Sequence, residues 1–271
     1  MSKRKVCVVI ASRANYGRIK SVLQEIKNHK DLELQIVASA SALLFRFGKV
    51  VDIMEDDGFA PDAKVHIVIE GDSLTTMAKS TGLAVIEMAG IFDILKPDIV
   101  LTVADRYETL ATSIAASYMN IPVAHTQGGE VTGSIDESVR HATTKLSHFH
   151  FVTTKLSQQR VIQMGENPER VYLTGCPAID LIANINLDVD NDILIKRGGV
   201  GSHIDLNSKY LVVLQHPVTT EYKSASPQIL ATIKAVRNLA MQTIWIWPNV
   251  DAGSDEISKE LRKFREQENP P

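Results

Sequence analysis

The sequence is poor in cysteine and in aromatic residues, and it lacks any long apolar run. Its two cysteines, Cys7 and Cys176, lie far apart and neither belongs to a CxxC pair, which argues against a disulfide framework. The apolar run near the amino terminus is shorter than a signal-peptide core, and no segment reaches the roughly 20 apolar residues that a membrane helix needs. We therefore expect reduced thiols in a cytoplasmic protein without a membrane partner.

The sequence also lacks a strong excess of either charge. The formal net charge is −3 over 271 residues, and the isoelectric point is about 6.2. A nucleic-acid-binding domain usually carries a basic patch and a high isoelectric point, so we expect no nucleic-acid partner. The hydrophobic content of 44% and the charged content of 23% are typical of a soluble enzyme of one large or two ordinary domains.

Two common kinds of site are missing. There is no GxGxxG pattern, so a dinucleotide-binding fingerprint is absent. The sequence His148-Phe149-His150 places two histidines on one face of a strand, but no cysteine or third ligand is near in sequence, and we expect no metal. We therefore expect a reaction that uses neither a dinucleotide cofactor nor a metal ion.

Apolar strands alternate with helical patterns through most of the chain. Continuous apolar runs occur at 5–11, 32–38, 65–70, 98–103 and 121–125, separated by segments with helical spacing. Strands that are apolar throughout predict a parallel sheet covered on both faces. We predict an α/β fold with a doubly wound, Rossmann-like domain at 1–180.

The character of the sequence changes after this domain. Residues 181–208 are rich in Asn, Asp and Gly and are predicted to be a connection. A second βαβα pattern occupies 209–271 but contains only two strands, which are too few to bury both faces of a parallel sheet. We expect a partial second Rossmann-like domain. Either the chain is a fragment, or the missing strands of this domain come from elsewhere.

The most polar loop follows the strand at 121–125. It contains three glycines, Gly128, Gly129 and Gly133, which let a backbone approach a ligand or adopt positive φ. Its side chains His125, Glu130 and Asp136 could reach one space. Asp136 also suits the amino-terminal cap of the next helix, and it could form an i,i+4 ion pair with Arg140.

Two further loops of this domain follow apolar strands. The loop at 12–18 opens a helix whose free N–H groups could bind a phosphate, with Arg13 contacting a diphosphate or a base. An ordinary polar loop is the alternative. Asp105 and Arg106 end the strand at 98–103 and should point into the cleft above the sheet. Asp105 could equally cap the following helix.

The second domain has comparable loops. His216 ends its first strand, and Asn249 and Ser254 follow its second strand. His216 alone could be an ordinary strand-end histidine. Several polar loops at strand ends in two facing domains favour a shared cleft.

Together these motifs resemble those of the hydrolysing UDP-N-acetylglucosamine 2-epimerases of sialic and legionaminic acid biosynthesis. The matching segments run in order along the chain and include HTQGGEVTGSIDESVRHATTKLSHFHF, LQHPVTT and PNVDAGS. The resemblance implies the two-domain fold of GT-B glycosyltransferases, a UDP-sugar substrate and a nucleotide contact at Arg13. We also expect a homo-oligomer, either a dimer or a tetramer.

The resemblance further implies a mechanism. Removal of the C2 proton and departure of UDP from C1 give a 2-acetamidoglycal, and hydration releases the 2-epimerised sugar. Asp105 and Asp136 match catalytic carboxylates, Glu130 is a further candidate, and His216 matches a histidine near the diphosphate. Arg106, His125, Gln127, Gly128, Gly129, Arg140, Asn249 and Ser254 are expected to bind substrate.

The chain departs from the family pattern in three respects. Gln127 stands where many members have Glu, and an amide cannot act as a base. Either the proton transfers fall to Asp105, Asp136 or Glu130, or Gln127 marks a subfamily with a different sugar. We favour the second, with Gln127 as a substrate hydrogen-bonder and a 2,4-diacetamido sugar as substrate. Val103-Ala104 replaces a common His-Gly. Members also continue beyond this carboxyl terminus, so an inactive sugar-nucleotide binder is one alternative. A GT-B glycosyltransferase is another.

Overall fold

The computed structural model describes residues 2–71, 73–186, 188, 192–196, 199–249 and 251–268. The chain divides into two compact units. Unit 1 comprises Met1–Glu70 and Thr75–Asn184, and unit 2 comprises Gly71–Leu74 and Ile185–Pro271. The domain boundaries predicted at residues 180 and 208 stay a prediction.

Unit 1 alternates strands and helices. Its strands are β1 (Arg4–Ile10), β2 (Leu32–Ser39), β3 (Ala63–Val65), β4 (Ile99–Val103), β5 (Val123–Thr126), β6 (Phe149–Val152) and β7 (Val171–Leu173). The helices are α1 (Arg13–Asn28), α2 (Val50–Asp56), α3 (Leu74–Leu95), α4 (Tyr107–Tyr118), α5 (Ile135–Leu146), α6 (Lys155–Gln163) and α7 (Pro177–Asn184).

The strands of unit 1 form one parallel sheet. Within the described residues it has seven strands in the order β3-β2-β1-β4-β5-β6-β7. The chain moves outward in one direction from β1 and in the other from β4. The loops after β1 and β4 therefore diverge at the carboxyl edge of the sheet, and this is the place where doubly wound proteins bind ligands.

Both faces of this sheet are buried. Alternate residues of β1 show the division: Val8 and Ile10 pack with α1 on one face, whereas Cys7 and Val9 pack with α3 and α4 on the other. Burial raises the pKa of the Cys7 thiol to about 12, so this thiol stays protonated in the core. The apolar runs noted in the sequence thus arise because each strand faces helices on both sides.

Unit 2 is smaller. Its elements are α8 (Ile193–Lys196), β8 (Leu211–Leu214), α9 (Ala225–Leu239), β9 (Thr243–Ile246) and α10 (Ser254–Glu268). In the described residues β8 and β9 form a two-stranded parallel sheet. Its apolar cluster lies between α9 and α10 and includes Ile229, Ile257 and Phe264, with Trp245 packed against it.

The structure differs from the predicted elements at one strand. The run 65–70 was expected to be the third strand, but β3 covers Ala63–Val65 and pairs with the end of β2. Within the part of the chain that the structure describes, every helix is too short or too polar to cross a bilayer.

Candidate active site

The loop after β1 is held by its own side chains. Ser12 caps α1 by accepting a hydrogen bond from the Asn15 amide at 3.1 Å. The buried Asn15 side chain in turn accepts a hydrogen bond from the Ala11 amide at 3.2 Å. Arg13 is the first residue of α1 and is exposed, so it can reach a ligand at the sheet edge. Its predicted nucleotide contact stays a prediction.

The loop after β4 turns sharply to present Asp105. Ala104 has a φ of 61°, in the left-handed region that is uncommon for a residue with a side chain. The cap of α4 is Arg106, and Asp105 precedes it. The capping alternative for Asp105 is therefore wrong. The Asp105 carboxylate remains 16% exposed and contacts the guanidinium of Arg140.

Arg140 forms hydrogen bonds with the loop after β4 and with the loop after β5. Its side chain is only 2% exposed and belongs to α5. One amino group donates to the Asp105 carboxylate, and the other donates to the Glu130 carbonyl at 2.7 Å. The guanidinium faces protein carboxylate and carbonyl groups, so Arg140 positions Asp105 relative to Glu130. Its predicted contact with substrate stays a prediction.

Arg106 is also tied to the protein. Its Nε donates to the carboxylate of Glu108 at 3.2 Å, and the Glu108 side chain is 1% exposed. The pair balances a charge that would be costly to bury alone. The Arg106 side chain is 12% exposed, which leaves a small part of it toward solvent. Its predicted contact with substrate stays a prediction.

His125 lies under the polar loop and has no solvent exposure. Its Nε2 is 2.7 Å from the Ala104 carbonyl, and its Nδ1 is 3.2 Å from the Thr144 hydroxyl. Burial lowers the pKa of His125 to about 4, so the ring is neutral near pH 7. Because a carbonyl only accepts, the neutral ring carries its proton on Nε2. The ring thus supports the Ala104 turn, and its predicted contact with substrate stays a prediction.

The glycines of the loop face the protein. A Cβ on Gly128 would lie 3.0 Å from the Thr144 hydroxyl and 3.2 Å from His125 Nδ1. Gly129 has a φ of 78°, and a Cβ there would lie 2.3 Å from the Ser157 carbonyl oxygen. These glycines therefore let the loop pack on α5 and α6, and their predicted contact with substrate stays a prediction. Gly133, by contrast, has open space at its Cβ position.

Gln127 lies at the start of this loop and is 6% exposed. Its amide oxygen accepts a hydrogen bond from Arg18 at 3.3 Å, and its amide nitrogen lies 3.6 Å from the sulfur of Cys176. These two contacts fix the orientation of the amide. An amide oxygen has two lone pairs and the nitrogen has two protons, so a substrate contact remains compatible with them.

Glu130 and Asp136 lie at opposite ends of the loop. The Glu130 carboxylate accepts a hydrogen bond from the Thr153 hydroxyl at 2.7 Å, at the end of β6. Asp136 is half-buried in the first turn of α5, where the helix dipole favours a carboxylate. The cap of α5 is Ser134, so the capping alternative for Asp136 is wrong.

Glu137 closes the loop. Its carboxylate accepts hydrogen bonds from the amides of Thr132 and Gly133, both at 2.9 Å, and these bonds lower the pKa of Glu137. Ser134 and Glu137 have the spacing of a capping box, S-x-x-E. That pattern was available in the sequence and would have assigned the cap to Ser134.

In unit 2, His216 contacts the backbone of the loop that follows β9. His216 is half-buried, and its Nδ1 accepts a hydrogen bond from the Asn249 amide at 3.2 Å. A neutral His216 therefore carries its proton on Nε2, which makes this nitrogen a donor. The Ser254 hydroxyl is directed at the Asn249 carbonyl, and Ser254 is 5% exposed. The predicted substrate contacts of Ser254 and Asn249 both stay predictions.

His148 and His150, the histidine pair considered above for a metal site, both contact groups of the protein. His148 accepts a hydrogen bond from the Val123 amide, and the buried His150 pairs with Glu166 at 3.2 Å. Burial lowers the pKa of His150. Among the described residues, no three His, Cys, Asp or Glu side chains are grouped as metal ligands would be.

Sequence reasoning missed three residues of this site. Arg18 lies five positions after Arg13 on the same helix. Thr153 follows β6, just as Asp105 follows β4. Cys176 follows β7. The position of Thr153 and Cys176 after a parallel strand was a usable signal, because such positions share one edge of the sheet.

Comparison with known proteins identifies the family of this chain. Residues 24–269 match the family profile described as UDP-N-acetylglucosamine 2-epimerase. The chain belongs to this family of nucleotide-sugar epimerases. A *Legionella pneumophila* UDP-N,N'-diacetylbacillosamine 2-epimerase (hydrolyzing) is 34% identical over 96% of this chain and 68% of its own length. A *Campylobacter jejuni* GDP/UDP-N,N'-diacetylbacillosamine 2-epimerase (hydrolyzing) is 33% identical over 97% and 68%.

Solved epimerase structures share the fold. A *Neisseria meningitidis* UDP-GlcNAc 2-epimerase, solved with bound UDP-GlcNAc, superposes with a TM-score of 0.73 at 19% identity. The alignment covers 95% of this chain and 70% of that one. The predicted α/β, GT-B-like fold class and the family resemblance are thereby confirmed. The chain spans about two thirds of the length of these epimerases.

Proposed function

We propose that the chain acts as a hydrolysing 2-epimerase of a UDP-2-acetamido sugar. The substrate is UDP-N-acetylglucosamine or UDP-2,4-diacetamido-2,4,6-trideoxyglucose, and the products are UDP and the free manno-configured sugar. The observation that carries this proposal is the partly exposed Asp105 carboxylate, held at the switch point of the sheet by Arg140, in a chain of this family. No cofactor is required, because no hydride is transferred.

The reaction is an elimination followed by hydration. A carboxylate takes the C2 proton, the C1–O bond to UDP breaks, and the C1=C2 double bond forms as UDP leaves with the bonding electron pair. Water then supplies hydroxide to C1 and a proton to C2 on the opposite face. A positioned base suits the weakly acidic C2 proton, and donors near the diphosphate stabilise the departing charge.

The roles of individual residues are part of this proposal. Asp105 is proposed as the base, since its partners fix it while part of the carboxylate remains exposed. Asp136 and Glu130 are proposed to exchange protons in the hydration step. Arg13 and His216 are proposed to contact the diphosphate, for which Arg13 offers a charge and His216 a donor at Nε2.

The 2,4-diacetamido sugar is the preferred substrate in this proposal. Two relatives above 30% identity carry N,N'-diacetylbacillosamine, a sugar of this class, in their names. The neutral amide of Gln127 beside Arg18 leaves the guanidinium without a carboxylate partner at that contact. An acetamido oxygen is an acceptor that such a guanidinium can bind.

The test is UDP release without a sugar acceptor. The chain is incubated with each UDP-sugar, and products are identified by NMR in D2O. We expect UDP and a 2-epimerised free sugar bearing deuterium at C2, with the larger kcat/KM for the diacetamido substrate. UDP release that requires an added acceptor would establish a glycosyltransferase instead. Binding without turnover would establish a sugar-nucleotide binder.

A further inference from the structure

Helix α5 holds the turn that presents Asp105 at two points. Arg140 on this helix contacts the Asp105 carboxylate directly. Thr144 lies one helical turn further along, and its hydroxyl is 3.2 Å from the Nδ1 of His125. The Nε2 of the same ring is 2.7 Å from the Ala104 carbonyl. Two side chains of one helix face therefore act on two consecutive residues of the loop after β4, one directly and one through a histidine.

The turn at Ala104 depends on this support. Its φ of 61° lies in the left-handed region, which is unfavourable for a residue with a Cβ. Its N–H donates to the Thr126 carbonyl at 3.2 Å, and its own carbonyl accepts from the His125 ring. The Ala104 carbonyl and the Asp105 nitrogen belong to one planar peptide unit. A hydrogen bond to this carbonyl therefore fixes the position from which the Asp105 side chain starts.

The direction of each hydrogen bond follows from the carbonyl. A carbonyl only accepts, so the Nε2 of neutral His125 carries the proton and Nδ1 carries the lone pair. The Thr144 hydroxyl must therefore donate to Nδ1. Both side chains are fully buried, so bulk water does not compete for these bonds. Thr144 thus selects the tautomer of His125 that can donate to Ala104.

Gly128 leaves the space for this contact. A Cβ at Gly128 would lie 3.0 Å from the Thr144 hydroxyl and 3.2 Å from the Nδ1 of His125. Its φ is not positive, so its backbone conformation is open to residues other than glycine. A side chain at this position would press on the two atoms that form the hydrogen bond. The loop after β5 is therefore shaped around the contact between Thr144 and His125.

We propose that Thr144 is a positioning residue for Asp105. Its hydroxyl orients the His125 ring, and the ring holds the Ala104 carbonyl. This peptide unit then places the Asp105 carboxylate beside Arg140. Thr144 has no exposed surface, so it acts on the reaction only through His125. The inference rests on the proposed function, in which Asp105 is the base.

The adjacent threonine provides a matched control. Thr143 and Thr144 are both fully buried on α5. The Thr144 hydroxyl contacts His125, whereas the Thr143 hydroxyl has no hydrogen-bond partner within the described residues. Replacement by valine removes the hydroxyl at either position and keeps the branched shape of the side chain. The two valine variants therefore differ in the loss of one hydrogen bond.

Steady-state kinetics of UDP release measures the effect on catalysis. Thr144→Val should lower kcat about 10–100-fold and change KM less than about twofold, because the base is misplaced while the groups that bind substrate remain. Thr144→Ser keeps the hydroxyl and should restore most of the lost kcat. Thr143→Val should keep the wild-type kcat. A folded Thr144→Val variant with the wild-type kcat, or with the same kcat as Thr143→Val, would overturn the proposal.

A spectroscopic test does not depend on turnover. NMR of an isotope-labelled chain follows the ring nitrogens of His125 and the carboxylate carbon of Asp105, assigned with His125→Gln and Asp105→Asn. Wild type and Thr143→Val should show His125 protonated on Nε2.

Thr144→Val should show both tautomers and a shifted Asp105 resonance. Gly128→Ala disturbs the same hydrogen bond from the other side and should shift the same resonances, even if Thr144→Val does not fold. Unchanged His125 and Asp105 resonances in these variants would overturn the proposal. Expected shifts in a chain that releases no UDP would refute the proposed function but support the positioning of Asp105.

Discussion

Units 1 and 2 both place polar loops after parallel strands, but they support them differently. In unit 1 apolar clusters cover both faces of the sheet. In unit 2 the apolar cluster lies with α9 and α10, and β8 leaves Val212 57% and Leu214 51% exposed. The loops of unit 1 therefore rest on a closed core, and those of unit 2 on a core with an exposed strand face.

The two strand-end histidines show the consequence. His125 in unit 1 is fully buried with both ring nitrogens engaged by Ala104 and Thr144. His216 in unit 2 is half-buried and accepts a backbone hydrogen bond at Nδ1. The same residue type thus supports the backbone in one unit and can present a donor in the other. Burial, rather than position after a strand, separates the two roles.

The largest expected effect is on chemistry in unit 1. Asp105→Asn keeps an acceptor for Arg140 but removes the proposed base, so kcat should fall about 10³-fold. Asp56→Asn, an exposed carboxylate on α2, is the matched control and should keep wild-type kcat. Steady-state kinetics of UDP release measures both. Full activity of both Asp105→Asn and Asp136→Asn would refute the proposed carboxylates.

Two glycine variants sharpen the comparison within unit 1. Gly129→Ala combines a φ of 78° with a Cβ 2.3 Å from the Ser157 carbonyl oxygen, so it should cost about 4 kcal/mol of unfolding free energy. Gly133→Ala has a φ of 69° but open space, so it should cost about 1 kcal/mol. Urea denaturation measures both. Equal losses would mean that the loop is not packed on α6.

The burial of His125 predicts a pH dependence. Its pKa falls from about 6.5 in the unfolded chain to about 4 in the fold, so the unfolded state binds more protons in this range. The unfolding free energy is therefore unaffected by this titration above pH 6.5. Below that pH, protonation of His125 in the unfolded chain lowers the unfolding free energy by up to about 3 kcal/mol as the pH falls to 4.

A His125→Gln variant isolates this contribution. Its unfolding free energy should vary less between pH 6.5 and 4 than that of the wild type, because glutamine does not titrate. The groups whose charge acts on His125, which are His150, Arg140 and His141, remain in the variant. An identical pH slope in the two proteins would contradict the assignment.

His216→Phe tests the other histidine. The variant keeps a ring of similar size but loses the donor at Nε2, so kcat/KM for UDP release should fall about 10²-fold. The unfolding free energy should change by less than about 1 kcal/mol, because the ring is only half-buried. A larger loss of stability than of activity would give His216 the supporting role found for His125.

The smallest expected difference is between the stabilities of the units. Trp245 and Trp247 are the two tryptophans of the sequence, and both lie in unit 2. Tryptophan fluorescence should therefore change at a lower urea concentration than far-UV circular dichroism, by an amount corresponding to about 1–2 kcal/mol. Coincident transitions would show that the two units unfold together.

The fold could be predicted from the sequence because its signal is local. Runs such as 5–11 and 98–103 are apolar throughout, and only a sheet covered on both faces uses such strands. The third strand was misplaced because 65–70 carries the same pattern, while β3 pairs through Ala63–Val65. Strand pairing depends on neighbours that are distant in sequence.

The residues of the site were found more reliably than their orientation. Asp105 and Glu130 do lie at the expected edge of the sheet. However, the contact between Arg140 and Asp105 joins residues 35 positions apart, and the sequence suggested Asp136, at i,i+4 spacing, as the partner of Arg140. Likewise, Gly128 and Gly129 revealed a close approach but not its partner, which is the protein itself.

The contact between Gln127 and Cys176 provides a reporter of this site. Cys7 is fully buried with a raised pKa, whereas Cys176 is partly exposed and lies within 3.6 Å of the Gln127 amide. A thiol-directed fluorine label should therefore attach selectively at Cys176. Its resonance would follow occupancy of the loop directly, in an unmutated chain and without turnover.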